Sequence, residues 1–211
     1  VGTNPISVFS ADFNGDGKND LMFTKDGNTT IYSFEKSGSQ VNAKILYNAG
    51  YPTKWHKVFP GDFNGDGKTD LLSSGNGTIW EIGFSTGNSF VSETQNFPFN
   101  LGISNSNQFS AYADRIKIGD YNGDGKSDIL NAKAIWSNGS SSSYYLNIYY
   151  RQSQSFILDG RTVSGVLGGS YIKENYRNIG FVSLDVNGDG KTDEIMKTHY
   201  QTPLDVFTFN K

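Results

Sequence analysis

The chain has no cysteine. Disulfides, thiol catalysis and zinc–thiolate sites are therefore excluded. A fold that needs a staple must find it elsewhere, and bound metal is the obvious candidate. Proline is scarce, at 5 of 211 residues. No apolar run approaches the roughly 18 residues of a membrane-spanning helix, so membrane insertion is not expected. No window carries the periodicity of an amphipathic helix. There is no P-loop, no dinucleotide-type Gly-x-Gly-x-x-Gly after a strand, and no His-Glu-x-x-His. The 18 basic residues are spread along the chain rather than clustered, which argues against a nucleic-acid partner. The opening Val1-Gly2-Thr3-Asn4 lacks a signal-peptide pattern, as expected of a mature or excised segment.

What is abundant is glycine, at 25 residues, with asparagine and serine beside it. These residues favour turns, so many short strands joined by tight connections are expected. Hydrophobic residues make up 36% and aromatics 14%, enough for one sizeable core or for a row of small ones.

Self-similarity organises the rest. Four segments align without gaps: Asp12-Phe-Asn-Gly-Asp-Gly-Lys-Asn-Asp20, Asp62-Phe-Asn-Gly-Asp-Gly-Lys-Thr-Asp70, Asp120-Tyr-Asn-Gly-Asp-Gly-Lys-Ser-Asp128 and Asp185-Val-Asn-Gly-Asp-Gly-Lys-Thr-Asp193. Their first aspartates are 50, 58 and 65 residues apart. An apolar stretch precedes each loop (Ile6 to Phe9, Trp55 to Phe59, Ile116 to Ile118, Ile179 to Val182), and another follows it (Leu21 to Phe23, Leu71-Leu72, Ile129-Leu130, Ile195-Met196). Each loop therefore joins two strands. Further β-branched and aromatic runs complete each unit, among them Thr30 to Phe34, Val41 to Leu46, Thr78 to Phe84, Phe90-Val91, Tyr144 to Tyr150 and Phe156 to Leu158. They read as strands.

About four strands in each repeat is the make-up of a β-propeller blade. One blade cannot bury both faces alone, so neighbours must stack. The expected fold is all-β: a β-propeller of four repeats over residues 1–211, with blades near 1–50, 51–101, 112–165 and 176–211. The polar stretches Leu101 to Ala111 and Ser137 to Ser143 read as loops. Segment 159–177 reads as an insertion or a long connection.

The loops carry the chemistry. Of 21 acidic residues, 12 lie in them. Calcium takes about six to eight oxygen ligands. Side chains at loop positions 1, 3 and 5 converge only if the chain curls tightly, and glycines at positions 4 and 6 permit the curl. Position 7 then offers its carbonyl, and the position 9 carboxylate closes the site. The expected ligands are Asp12, Asn14, Asp16, Lys18 (carbonyl) and Asp20; Asp62, Asn64, Asp66, Lys68 (carbonyl) and Asp70; Asp120, Asn122, Asp124, Lys126 (carbonyl) and Asp128; and Asp185, Asn187, Asp189, Lys191 (carbonyl) and Asp193. The lysine side chains are expected to point to solvent. About four Ca²⁺ ions, one per loop, would reverse the sign of the net charge of −3. The alternative is four solvated turns without metal. It leaves three carboxylates within nine residues repelling one another.

The loop begins like an EF-hand but does not end like one. Position 12 of an EF-hand is a bidentate glutamate; here it is Phe23, Ser73, Asn131 or Met196. The absence of helices after the loops argues equally against a dockerin.

Asp62 to Leu71 resembles the calcium loop of FG-GAP/VCBS-type repeats, which occur in integrin α-subunit propellers, propeller lectins and Rhs/Tc-type toxin shells. The resemblance covers the whole chain as a repeat. It implies blades with the loop between their first and second strands, and ligands at positions 1, 3, 5, 7 and 9. Such propellers commonly have about seven or eight blades, and this chain has four loops. Two expectations stay open: a compact four-bladed ring, or an arc of a larger propeller whose exposed edges invite self-association or pairing with blades of the parent chain.

Three functions follow in order of weight. The first is an extracellular, calcium-stabilised scaffold or recognition module, binding a protein or glycan at the cell surface. The second is a calcium-dependent lectin with sugars between blades, for which Trp55, Trp80, Trp136 and the tyrosines of 144–150 are stacking candidates against a plainer reading as core. The third is a polysaccharide-acting enzyme. No catalytic residue is assigned: Glu35, Glu81, Glu93, Glu174 and Glu194 are scattered, and neither His56 nor His199 adjoins a nucleophile. Asn28, Asn76 and Asn138 fit the N-glycosylation pattern. A secreted or cell-surface location rests on calcium, which is plentiful only there for weak sites.

Overall fold

The computed structural model describes residues 7–25, 28–50, 57–74, 79–96, 116–136, 141–159, 163–168, 180–197 and 205–208. The described elements are all strands, in four separate antiparallel sheets, one per repeat, and none closes on itself. The chain divides into two compact units, Val1–Phe97 and Pro98–Lys211, each holding two repeats.

In the first unit, β1 (Ser7–Ala11), β2 (Asp20–Lys25), β3 (Asn28–Ser37) and β4 (Gln40–Gly50) form one sheet in sequence order. The strands β5 (Lys57–Gly61), β6 (Asp70–Ser74), β7 (Ile79–Ser85) and β8 (Phe90–Asn96) form the next. Alternation along β2 and β3 puts Met22 and Ile31 on one face and Leu21 and Tyr32 on the other. The two sheets meet through the first of these faces. Phe13, Met22, Ile31 and Leu71 are buried there, with Phe9, Val58 and Phe90 packed around them. The Phe90 ring sits edge-on to Phe13 (6.4 Å) and to Tyr47 (5.4 Å), the arrangement that aromatic quadrupoles favour. The opposite face of the second sheet buries Phe59, Leu72, Trp80 and Ile82, with the Phe59 and Trp80 rings stacked 6.1 Å apart.

In the second unit, β9 (Ile116–Gly119), β10 (Asp128–Trp136), β11 (Ser141–Gln152) and β12 (Ser155–Leu158) follow the same order. A fifth strand, β13 (Val163–Gly168), pairs with β11 from Ser141 to Leu146, while β12 pairs with it from Tyr149 to Gln152. The outer edge of this blade is thus covered by two short strands laid end to end. The last sheet comprises β14 (Gly180–Leu184), β15 (Asp193–Lys197) and β16 (Asp205–Phe207).

Two sequence expectations need correction. Ser141 to Ser143 is not loop but the start of β11, where Ser142 and Ser143 pair with Trp136 and Ile135. A ladder is made by backbone groups, so a polar run flanked by two partners extends it readily. Segment 159–177 likewise contains a strand, β13. The stretch Leu101 to Ala111, with Trp55, His56, Asn76, Asn138, Glu174 and His199, lies outside the described residues.

Leu71 is fully buried where the two sheets of the first unit meet. Leu71→Ala is expected to lower the unfolding free energy by about 2–5 kcal/mol, measured by urea denaturation. A loss under about 1 kcal/mol would mean that the face is not packed as a core.

Candidate functional site

All four aspartate-rich loops lie between the first and second strands of their sheets. They share one conformation. The glycines at positions 4 and 6 have φ between 76° and 83° in every copy, a region closed to most L-residues. This curl points successive amides inward. The position 1 carboxylate collects three of them. In the first loop, Gly15 N–H (2.7 Å) and Asp16 N–H (3.2 Å) donate to Asp12 Oδ1, and Gly17 N–H (2.7 Å) donates to Oδ2. The same three bonds recur at Asp62, Asp120 and Asp185. Asn14 Oδ1 accepts from Asp16 N–H (2.8 Å), and Asp16 Oδ1 from Lys18 N–H (2.9 Å). These bonds also recur at Asn64 and Asp66, Asn122 and Asp124, and Asn187 and Asp189.

The position 9 aspartates are different. Asp20, Asp70, Asp128 and Asp193 are all buried. Each accepts the amide of position 2: Phe13 (3.0 Å), Phe63 (2.9 Å), Tyr121 (3.0 Å) and Val186 (3.1 Å). Asp70 Oδ1 also accepts from Ser85 N–H, and Asp128 Oδ1 from Arg151 N–H, each at 2.8 Å. One carboxylate thus ties the loop to the end of the third strand. Burial, assisted by Asp62 and Asp66, pushes the Asp70 carboxyl up to about 7 against the pull of its two amide donors. Asp128 is pushed to about 7 in the same way, with Asp124 and Asp120 adding to burial. Burial raises Asp20 as well.

Lys18 keeps the expected solvent exposure, whereas Lys68 is half-buried and drawn onto its loop. Lys68 Nζ lies 3.0 Å from Asp66 Oδ2, and Lys18 Nζ lies 3.9 Å from Asp16 Oδ2. Burial works to raise Asp66, but the Lys68 ammonium and amide outweigh it and hold the carboxyl below its ordinary value. The stem of Lys68 also covers the preceding loop, its Cγ reaching within 3.1 Å of where a side chain on Gly15 would begin.

Adjacent loops within a unit are coupled by a repeated bond. Thr69 N–H donates to the Asp12 carbonyl (2.7 Å), and Thr192 N–H to the Asp120 carbonyl (2.6 Å). The Ser85 hydroxyl donates to the Phe13 carbonyl (2.6 Å). In the second unit the Tyr121 hydroxyl donates to Glu194 Oε1 (2.5 Å), which also accepts from the Ser183 hydroxyl (2.6 Å). Burial raises Glu194, and burial with the adjacent Glu194 carboxylate raises Tyr121 well above its usual range. Sequence reasoning weighed Glu194 only as one of several scattered glutamates and gave no role to Thr69, Thr192 and Ser85. A signal existed for the first: Glu194 stands where the other repeats have Leu21, Leu71 and Ile129.

As a candidate metal site, each loop offers only hard oxygen donors: three carboxylates, one amide oxygen and a backbone carbonyl. This chemistry suits a hard divalent cation. Buried carboxylates raised by their own loop neighbours are groups that a cation would relieve. Among the described residues, however, no three acidic or histidine side chains are drawn together as a ready metal cage, because positions 1 and 9 are turned onto backbone amides. The donor chemistry fits such a cation.

An FG-GAP-like repeat model matches residues 12–73 and again 62–131. The chain belongs to the FG-GAP-like repeat family. No curated protein matches it. Both matched spans begin on the first aspartate of a loop and run past the following one, so the family unit is a loop with the strands up to and including the start of the next blade. That is the segment which the coupled loops hold together in the first unit.

The raised carboxyls set a pH dependence for the metal-free FG-GAP chain. Asp70 and Asp128 bind their protons more tightly folded (about 7) than at the ordinary 3.8. Their contribution to stability is full below pH 4, is lost as pH rises to 7, and is flat above. In chelator, titrating thermal stability from pH 4 to 7 should show a falling component of at most about 1.4 kcal/mol per pH unit per group. That component should vanish in D70N/D128N; an unchanged profile in the double variant would refute it.

Proposed function

We propose that this FG-GAP chain is a calcium-stabilised scaffold or recognition module that works outside the cell. The observation that carries the reading is the fourfold recurrence of one hydrogen-bonded loop, rich in carboxylates, with a buried aspartate at its close. A bound Ca²⁺ would supply the positive charge which those carboxylates lack and would draw loop and strands together, so that metal binding and folding are coupled. Ligands would come from positions 1, 3, 5, 7 and 9, that is from Asp12, Asn14, Asp16, Lys18 and Asp20 in the first loop and their counterparts in the others. A weak site of this kind fills at extracellular calcium and stays empty in cytosol, which is the basis for the proposed location. No helix among the described residues is long and apolar enough to cross a membrane.

Binding rather than catalysis is proposed because the chemistry is repeated rather than concentrated. Glu81 and Glu93 lie on opposite faces of their sheet, Glu81 opposite Thr94 and Glu93 opposite Ile82, so they do not form a carboxylate pair. Partners are proposed to be protein or glycan ligands. The tryptophan whose side chain is described, Trp80, is buried at 1% exposure and offers no ring face for sugar stacking. A lectin would have to use other aromatics.

The decisive experiment is thermal denaturation across a calcium titration. Calcium should raise the melting temperature in proportion to RT ln(1 + [Ca²⁺]/Kd). Asp66→Ala should reduce that gain while shifting stability in chelator by no more than about 0.5 kcal/mol, as for a surface change. Equal losses in both conditions would sink the ligand assignment. A glycan-array screen in calcium and in EDTA addresses partners. The scaffold reading expects no sugar class to bind, and calcium-dependent binding to one class would replace it with the lectin reading.

A further inference from the structure

Glu194 is the one acidic residue at its place in the repeat, and it is entirely buried, at 0% exposure. Leu21, Leu71 and Ile129 stand there in the other three copies. Two further replacements accompany it. At loop position 2, where the other copies carry Phe13, Phe63 and Val186, the third loop has Tyr121. Three residues before the loop, where the others carry Phe9, Phe59 and Val182, the third repeat has Lys117. All three polar changes meet at one place, the junction between the two sheets of the second unit. The hydroxyls of Tyr121 and Ser183 both donate to Glu194 Oε1, and the Lys117 ammonium is near enough for its charge to favour the carboxylate.

In the first unit the places of all three are apolar. Phe13 and Leu71 are buried in its junction, and Phe9 packs against them. A leucine therefore fills the place of Glu194 with no carboxyl group, so filling space does not explain the glutamate. Stability does not explain it either. Among the described residues, its second oxygen, Oε2, is buried with no hydrogen-bond partner. A buried carboxyl that is only partly satisfied is more costly than a well-packed apolar side chain. What the cluster does supply is discrimination. Set against the face of the first sheet that carries Phe9 and Phe13, Glu194 would lose the Tyr121 donor and the Lys117 charge. Set against Leu71, Tyr121 would lose the acceptor of its hydroxyl, at the cost of a broken buried bond.

We infer that Tyr121 and Glu194, with Ser183 and Lys117 beside them, form a recognition pair that makes the two sheets of the second unit accept each other and reject the otherwise similar sheets of the first. A chain of near-identical repeats needs such a device, because misassembly between repeats is their characteristic failure. Specificity comes as much from polar groups stranded in the wrong pairing as from bonds made in the right one. The loops do not supply it, since the Thr69–Asp12 and Thr192–Asp120 bonds are the same in both units.

Urea denaturation and refolding of the full chain, at one fixed calcium concentration, test this. Tyr121→Phe and Glu194→Leu should each raise the unfolding constant about tenfold, because each removes a buried partner. The double variant Y121F/E194L should recover wild-type stability or exceed it, since Ser183 and Lys117 are only half-buried and can turn to water. Recovery after dilution from urea separates recognition from plain packing. The double variant, with both junctions now apolar, should return a smaller fraction to the native elution position on size-exclusion chromatography than wild type does, despite its stability. Single losses that simply add in the double variant would overturn the pairing. A double variant that refolds as completely as wild type would overturn the recognition role.

Discussion

Each blade depends on a buried carboxylate that accepts backbone hydrogen bonds. Asp70 and Asp128 sit at the closing position of their loops, where one oxygen takes the amide of the second loop residue and the other takes an amide at the end of the third strand. The loop, the second strand and the third strand meet at this one carboxylate. Without that carboxylate the amides would be buried and unpaired, which is more costly than the bonds themselves are stabilising. The arrangement has its own cost, since burial and the loop's other aspartates oppose ionisation. A structure held by a carboxylate that is reluctant to ionise is one that a cation can strengthen.

The loops also act as couplers between blades. The carbonyl of the first loop residue, the glycine at position 4 and the lysine stem of the next loop form one contact repeated in both units. A change at one loop is therefore felt at its neighbour, which is the nearest-neighbour behaviour of a repeat protein. Between the two sheets of the first unit, side-chain packing likewise sets Phe13, Met22 and Ile31 of one sheet against Leu71 of the next.

Most of the fold was legible because its signals are local. The repeated loop, the glycines with positive φ and the flanking apolar runs placed the strands and joined them in the right order. The fourfold loop was legible for the same reason, and the family match spans the first three copies. The polar run leading into β11 and the strand β13 were not legible. Their pairing depends on partners distant in sequence, and serine and glycine give no local sign of a ladder. The side chain of Lys68 was misjudged because its ammonium can reach the Asp66 carboxylate two residues back only once the loop has curled.

By itself, the sequence determined that four equal turns would form, since only the alternation of aspartate, asparagine and glycine allows a chain to curl so tightly around oxygen donors. It also determined that strands would flank them. Tertiary structure alone decided that the closing aspartate becomes a buried strand clamp, that Glu194 meets Tyr121, and which apolar face of each sheet is covered. Those outcomes depend on which residues another strand or sheet brings near. The period of a strand says which side chains share a face, but only packing says what that face will touch.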